Sequence, residues 1–242
     1  MTEEIKPYAT ADNKEKQVEQ MFDGIAPHYD LLNHMLSFGI DKRWRRKAIS
    51  LLSGTRLREL LDVATGTGDM ALLAHDTLKT KVVGCDISDG MIKKAIEKVQ
   101  SKNLQSEITF FRADSTQLPF SSNRFDAITV AFGVRNFAQL DKGLSEMQRV
   151  LRPGGNVVIL EFSTPTNTFF RAIYTFYFRH VLPLIGGFIS SDRKAYEYLF
   201  RSAMAFPCGA DFERHLEMAG LQPISTTQLT LGIATAYLAK KK

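Results

Sequence analysis

Cysteine is scarce in this chain: Cys85 and Cys208 are the only two among 242 residues. Their wide separation gives neither a disulfide framework nor a metal-ligand spacing, so a reducing cytoplasm and no metal are expected. Long hydrophobic runs are also missing. No stretch of about 18 apolar residues would span a bilayer, and the start Met1-Thr2-Glu3-Glu4 lacks the apolar core of an export signal. Neither secretion nor a transmembrane anchor is expected. Strong charge of one sign is absent as well, since 31 Lys and Arg face 26 Asp and Glu for a formal charge of +5. That excess reads as an ordinary solvated surface and gives no reason to expect nucleic acid.

What the chain does have is the stretch Leu60-Leu61-Asp62-Val63-Ala64-Thr65-Gly66-Thr67-Gly68-Asp69, followed by Val82-Val83-Gly84-Cys85-Asp86. This reads as a strand, a glycine turn into a helix, and a second strand ending on a carboxylate. Such a unit holds a nucleotide-like ligand over the ends of adjacent parallel strands, with Asp86 placed to accept hydrogen bonds from ribose hydroxyls. Short apolar runs alternate with amphipathic stretches from Glu59 to Phe162, which predicts a doubly wound, mostly parallel α/β sheet of Rossmann-like type. Arg152-Pro153-Gly154-Gly155 reads as a helix stop and a turn. Leu221 to Leu238, with β-branched residues around Gly232, reads as an antiparallel C-terminal hairpin.

One domain over residues 1–242 suits this length. Residues 1–15 are polar and expected to be flexible, and 16–55 form a helical preface or lid. Residues 56–162 form the ligand-binding core, 163–206 an aromatic-rich helical insert on the substrate side, and 207–242 a final helix and strands.

The glycines leave two ligand classes open, because Gly66-Thr67-Gly68-Asp69-Met70-Ala71 also satisfies a relaxed dinucleotide fingerprint with Asp86 about 20 residues on. Charge separates them. A dinucleotide brings a pyrophosphate to this turn, where Asp62 and Asp69 would oppose it, whereas the sulfonium and ammonium of S-adenosylmethionine would be attracted. Asp114, ending the third strand, can accept from an adenine amine. Asp62, Asp86 and Asp114 thus end successive strands on the carboxyl edge, where ligands bind in such sheets.

These residues, with Asp114-Ser115 and Arg152-Pro153-Gly154-Gly155, resemble the class I S-adenosylmethionine-dependent methyltransferases. Three stretches carry a narrower likeness to the ubiquinone/menaquinone biosynthesis C-methyltransferases: Met21 to Asn33, Leu36-Ser37-Phe38-Gly39 with Trp44-Arg45, and Phe132-Gly133-Val134-Arg135-Asn136. The resemblance implies a seven-stranded sheet and S-adenosylmethionine as cofactor. It implies that Thr67 with Gly66 and Gly68 contacts the methionine part, that Asp86 holds the ribose, and that Asp114 and Ser115 meet the adenine. Ala131 stands where some relatives have Ser, which removes one side-chain contact to the donor.

The implied reaction is C-methylation of a prenylated hydroquinone, demethylmenaquinol to menaquinol. The alternatives are an O- or N-methyltransferase on another small aromatic, a nicotinamide-dependent oxidoreductase, and a non-catalytic donor-binding protein. Methylating a quinol carbon needs electron density there, which loss of the phenolic proton, pKa ~10 when unperturbed, would supply. Arg135 and Asn136, just past the fourth strand, are candidates to stabilise or create that phenolate. In the preface, the polar cluster His28, Tyr29, Asp30 and Asn33 could fold over the donor. Tyr29 is the candidate contact and His28 the candidate proton acceptor. Phe22, Met35 and Trp44 read as packing residues. The segment from Phe169 to Phe188, interrupted by Arg171, Arg179 and His180, reads either as a buried insert or as a lipid-facing mouth. The expected partners are the prenylated quinol and, peripherally, membrane lipid, with a homodimer left open.

Overall fold

Residues Leu60 to Val63 point alternately to the two faces of a strand, and both faces are buried, as a central parallel strand requires. The computed structural model describes residues 5–30, 37, 39–165, 167–176 and 192–242. Within these, the core alternates β1 (Glu59–Val63), α3 (Asp69–Leu78), β2 (Lys81–Asp86), α4 (Asp89–Ser101), β3 (Ile108–Arg112), β4 (Phe125–Ala131), α5 (Leu140–Val150) and β5 (Leu151–Phe162). Helix α1 (Lys14–Ile25), a 3-10 turn (Ala26–His28) and α2 (Ile40–Ser50) precede it. After it come α6 (Thr168–Phe176), α7 (Arg193–Ala205), α8 (Ala210–Met218), β6 (Leu221–Leu229) and β7 (Ala234–Lys241).

The seven strands form one sheet in the order β3-β2-β1-β4-β5-β7-β6, with β7 antiparallel to β5 and β6. This is the expected fold class, C-terminal hairpin included. One face packs Leu61, Val63, Val83, Ile128 and Val130 against Leu144 and Met147 of α5 and Phe212 and Leu216 of α8. The other packs Leu60, Val82, Ala127, Val158 and Leu160 against Trp44, Ala48 and Ile49 of α2 and Met70 and Ala74 of α3. Full burial of each such large side chain contributes roughly 1.5–3 kcal/mol. A third, smaller cluster seats Val18, Met21 and Ile25 of α1 on Met91 of α4 and Tyr198 of α7, which fixes the preface over the carboxyl edge.

One expectation needs correction. The turn read at Arg152 to Gly155 lies inside β5: Leu151 pairs with Phe125, and pairing resumes at Asn156 opposite Ala127. The four residues between bulge out opposite Asp126, where Gly155 has no room for a Cβ, which would stand 2.8 Å from the Asp126 carbonyl oxygen. Residues 8–12, within the stretch expected to be flexible, pack back along the chain. The fully buried Gln17 side chain accepts from Tyr8 N–H at 2.9 Å and donates to the Asp12 carbonyl at 2.8 Å, folding that stretch back onto α1. Among the described residues no helix is long and apolar enough to cross a membrane.

Candidate active site

The sheet grows outward in opposite directions from β1 and β4, and a crevice opens beyond the carboxyl ends of such a pair. Here that crevice is a cleft of about 710 Å³ counted to its open mouth. Its floor comes from Ala64 and Gly66 after β1, Asp86 ending β2, Asp114 and Ser115 after β3, and Phe132, Gly133 and Asn136 after β4. Glu15, Val18 and Phe22 of α1 and Tyr29 roof it.

On one side the backbone does the positioning. Gly66 takes φ +56°, which aims its N–H at Asp86 Oδ2, 2.8 Å away, while Ser88 N–H donates to Oδ1 at 3.0 Å. Burial raises the Asp86 carboxyl above its ordinary range, opposed by the amides that donate to it. Two of its roughly four acceptor sites are thereby used, leaving others for a ligand's hydroxyls. Asp114 is fixed similarly, accepting from Thr116 N–H at 2.8 Å and from the Thr116 hydroxyl.

The opposite side is built around two side-chain-bearing residues in the left-handed region, Ala64 (φ +50°) and Phe132 (φ +60°). Each such conformation costs of order 1–3 kcal/mol, and such costs gather at functional sites. The two can coexist because residue 133 is glycine: a Cβ there would lie 2.6 Å from that of Ala64. Beneath them, Arg135 Nη1 donates to Glu161 Oε1 at 2.6 Å, and Glu161 is fully buried. Glu161 also accepts from Arg135 N–H at 3.3 Å and from Phe162 N–H at 2.9 Å. A carboxylate at zero exposure needs such partners.

Several predicted site residues come together in the cleft: Gly66, Asp86, Asp114, Ser115, Asn136 and Tyr29 all line it. Asn136 is one of the lining residues, and its buried side-chain oxygen, Oδ1, has no hydrogen-bond partner among the described residues. Others stand elsewhere. Asp62 is fully buried under the turn, accepting from Thr65 Oγ1 and Thr129 Oγ1 at 2.6 Å each, so it braces the turn and does not face a ligand. Burial pushes its carboxyl up to about 6 despite those two hydrogen bonds. Thr67 turns outward, donating to Asp30 at 2.5 Å and accepting from Lys98 at 3.0 Å. Gly68 starts α3 with φ +84°, closely packed on Phe110 and Ala95. Arg135 lies behind the cleft wall, its side chain 4% exposed and its charge met by Glu161. The His28 side chain, Asn33, Met35 and residues 177–191, with Arg179, His180 and Phe188, lie outside the described residues.

The carboxylates that face the cleft are not all the expected ones. Asp69 is paired with Lys98 at 2.7 Å and Asp62 is enclosed, so neither one selects the ligand. Glu15, Asp86 and Asp114 line the cleft, and among the described residues no Lys, Arg or His does. Burial and then the nearby Asp114 raise the Glu15 carboxyl. Three carboxylates without a counter-cation fit a cationic ligand such as S-adenosylmethionine and oppose a diphosphate. Sequence reasoning missed Glu161, although an acid within the apolar run Asn156–Phe162 was its signal. It also missed Glu15, placed in the flexible terminus, and Phe22, read as a packing residue of the preface. Trp44 packs as expected, centroid to centroid 6.1 Å from Phe132.

Comparison with known proteins gives the family. The chain is 50% identical over 240 residues to demethylmenaquinone methyltransferase of Bacteroides fragilis, covering 99% of this chain and 98% of that one. It is 44% identical over 230 residues to the ubiquinone/menaquinone biosynthesis C-methyltransferase UbiE of Geobacter sulfurreducens, covering 94% and 90%. In fold it is similar to the [4+2]-cyclase SpnF, with TM-score 0.70 at 16% identity over 96% of this chain and 98% of that chain. It is also similar to Haemonchus contortus phosphoethanolamine N-methyltransferase 2 in complex with S-adenosyl-L-methionine, with TM-score 0.60 at 17% identity over 82% and 52%. The family model described as the ubiE/COQ5 methyltransferase family matches residues 10–241, and the chain belongs to that family.

Proposed function

We propose that this chain, an S-adenosylmethionine-dependent methyltransferase, methylates a ring carbon of a prenylated quinol, demethylmenaquinol giving menaquinol. The observation that carries the reading is the cleft with three carboxylates and, among the described residues, no basic side chain, set at the switch point of a methyltransferase sheet. When bound, the donor supplies an electrophilic methyl group on a sulfonium. Asp86 would accept from its ribose hydroxyls, Asp114 and Ser115 would meet the adenine, and the turn at Gly66 would let the ligand approach the backbone. The names of the Bacteroides and Geobacter relatives support the quinol as acceptor.

The chain's residues meet the quinol at the β4 side. Asn136 Oδ1, without a partner among the described residues, would accept a hydrogen bond from a ring hydroxyl, polarising that O–H bond and raising electron density at the ring carbon. Tyr29 and Phe22, edge to face with centroids 6.0 Å apart, close the roof and exclude water. Arg135, paired with Glu161, acts as a positioning residue that holds Asn136 and its 3-10 turn Val134–Asn136. The prenyl tail of such a substrate lives in lipid, so peripheral contact with a membrane belongs to the same reading.

The test is a labelled donor with chemically reduced demethylmenaquinone, followed by mass analysis of the quinone. The expected product carries one added ring methyl. Saturable donor binding without transfer to this quinol overturns the assigned acceptor, and absence of donor binding overturns the site.

A further inference from the structure

From Lys42 to Arg58 the chain carries seven Lys and Arg and no acid, more positive charge than the whole chain nets. The remainder is therefore slightly acidic, and the cationic character is concentrated in one place. Helix α2 orders that charge: Trp44, Ala48 and Ile49 turn into the core, while Lys42, Arg43, Arg46 and Lys47, at i, i+1, i+4 and i+5, form one exposed stripe. None of these four has an ion-pair partner among the described residues. The acid of this helix, Asp41, is buried and stands 3.7 Å from Arg45, so it does not neutralise the stripe.

Apolar side chains are exposed on elements tied to the same helix. Trp44 Nε1 donates to Thr230 Oγ1 at 2.7 Å, joining α2 to the tip between β6 and β7. At that tip Thr230 and Leu231 both take left-handed conformations (φ +44° and +59°), and Leu231 stands 61% exposed. Ser163 Oγ donates to the Gly232 carbonyl at 2.8 Å, so β5 ends against the tip. Five residues further on, α6 begins, with Phe169 and Phe176 each more than 60% exposed. Two consecutive left-handed residues with side chains are costly, and here they lift a leucine into solvent.

We propose that the α2 stripe and the Leu231 tip form a docking surface for an anionic phospholipid bilayer. The inference rests on the reading that the acceptor is a lipid-soluble quinol. Cations on an exposed helix face attract an anionic headgroup layer, and neighbouring Leu and Phe side chains enter its apolar boundary. A nucleic acid would use the cations alone and leave Leu231 in water. The surface adjoins the cleft, because Trp44 and Arg45 of α2 pack on Phe132, which lines it.

The experiment is sedimentation of the full chain with phosphatidylcholine vesicles, pure or containing one third phosphatidylglycerol. Binding to the anionic vesicles alone, weakened by salt, is expected. The variant K42Q/R43Q/R46Q/K47Q should lower partitioning at least tenfold, given about 1 kcal/mol per basic residue near such a surface, and Leu231→Gln should lower it several-fold. Both variants should keep the parent's melting temperature and its turnover of a short-tailed quinol, and lose turnover of quinol held in anionic vesicles. Equal sedimentation of parent and four-site variant overturns the surface, as does binding to a duplex oligonucleotide without binding to vesicles. Vesicle binding is read without substrate. Its failure therefore leaves methyl transfer standing, and failed transfer with intact vesicle binding indicts the enzymatic reading alone.

Discussion

The two halves of the cleft are built by different physics. At the ends of β1, β2 and β3, carboxylates are held by backbone amides and hydroxyls close by: Asp86 by Gly66 and Ser88, Asp114 by Thr116. Past β4, the chain enters a strained turn at Phe132 and is held by the fully buried Glu161 and its ion pair with Arg135. Amide-held carboxylates keep spare acceptor sites for a ligand. A buried ion pair spends both charges on each other, so it fixes geometry and presents little to the cleft.

The strongest way to break this contrast is Arg135→Ala, which would leave Glu161 charged and unpaired in the core. We expect a stability loss of about 3–5 kcal/mol, measured by urea unfolding. The double variant R135M/E161M should recover most of that stability while turnover stays low and donor affinity stays near normal. Recovered turnover would remove the pair from any positioning role.

Asp86→Ala strikes the other half. Loss of charge-assisted hydrogen bonds to a ribose predicts about a hundredfold weaker donor binding, or ~2.7 kcal/mol, by calorimetry. Unchanged affinity would remove Asp86 from the donor site.

Asp62 sharpens the comparison through pH. Its folded carboxyl is raised to about 6, above its ordinary value of 3.8, so the folded state holds the proton more tightly than the unfolded state does. This group therefore destabilises the fold as pH rises from about 4 through 6, by about 3 kcal/mol in all, with the stability it lends fully present only below that window. Asp62→Asn should flatten that part of the stability–pH curve; an unaltered slope would show that the titration belongs to other groups. The smallest effect is expected for Gly133→Ala, where the added methyl meets Ala64 at 2.6 Å. Overpacking of that kind costs about 1–2 kcal/mol in unfolding experiments, and turnover should fall more than donor affinity.

The difference between the halves also explains what could be read in advance. The alternation of apolar runs with amphipathic stretches gave strand positions such as Lys81–Asp86 and Ile108–Arg112 directly, because their periodicity is local. Asp86 and Asp114 were legible because each ends a recognisable strand beside its own turn. Asp62 was misread for the same reason. It too ends a strand, but its side chain points beneath the turn onto Thr65 and Thr129, and strand register alone decides which. Arg135 was placed at the right edge, yet the identity of its neighbour, 26 residues away on β5, depends on which strand pairs with β4. The bulge opposite Asp126 was read as a turn because Pro-Gly-Gly chemistry is shared by both.

The sequence by itself determined the fold class, the glycine turn and the carboxylates that end β2 and β3, since these follow from period, propensity and short-range hydrogen bonding. Only the tertiary structure decided which charges face the cleft. It enclosed Asp62, paired Asp69 with Lys98 and Arg135 with Glu161, and left Glu15, Asp86 and Asp114 lining a space where no described residue brings a basic side chain. The physical reason is that the effect of a charge depends on its partner and its solvent, and residues distant in the chain supply both.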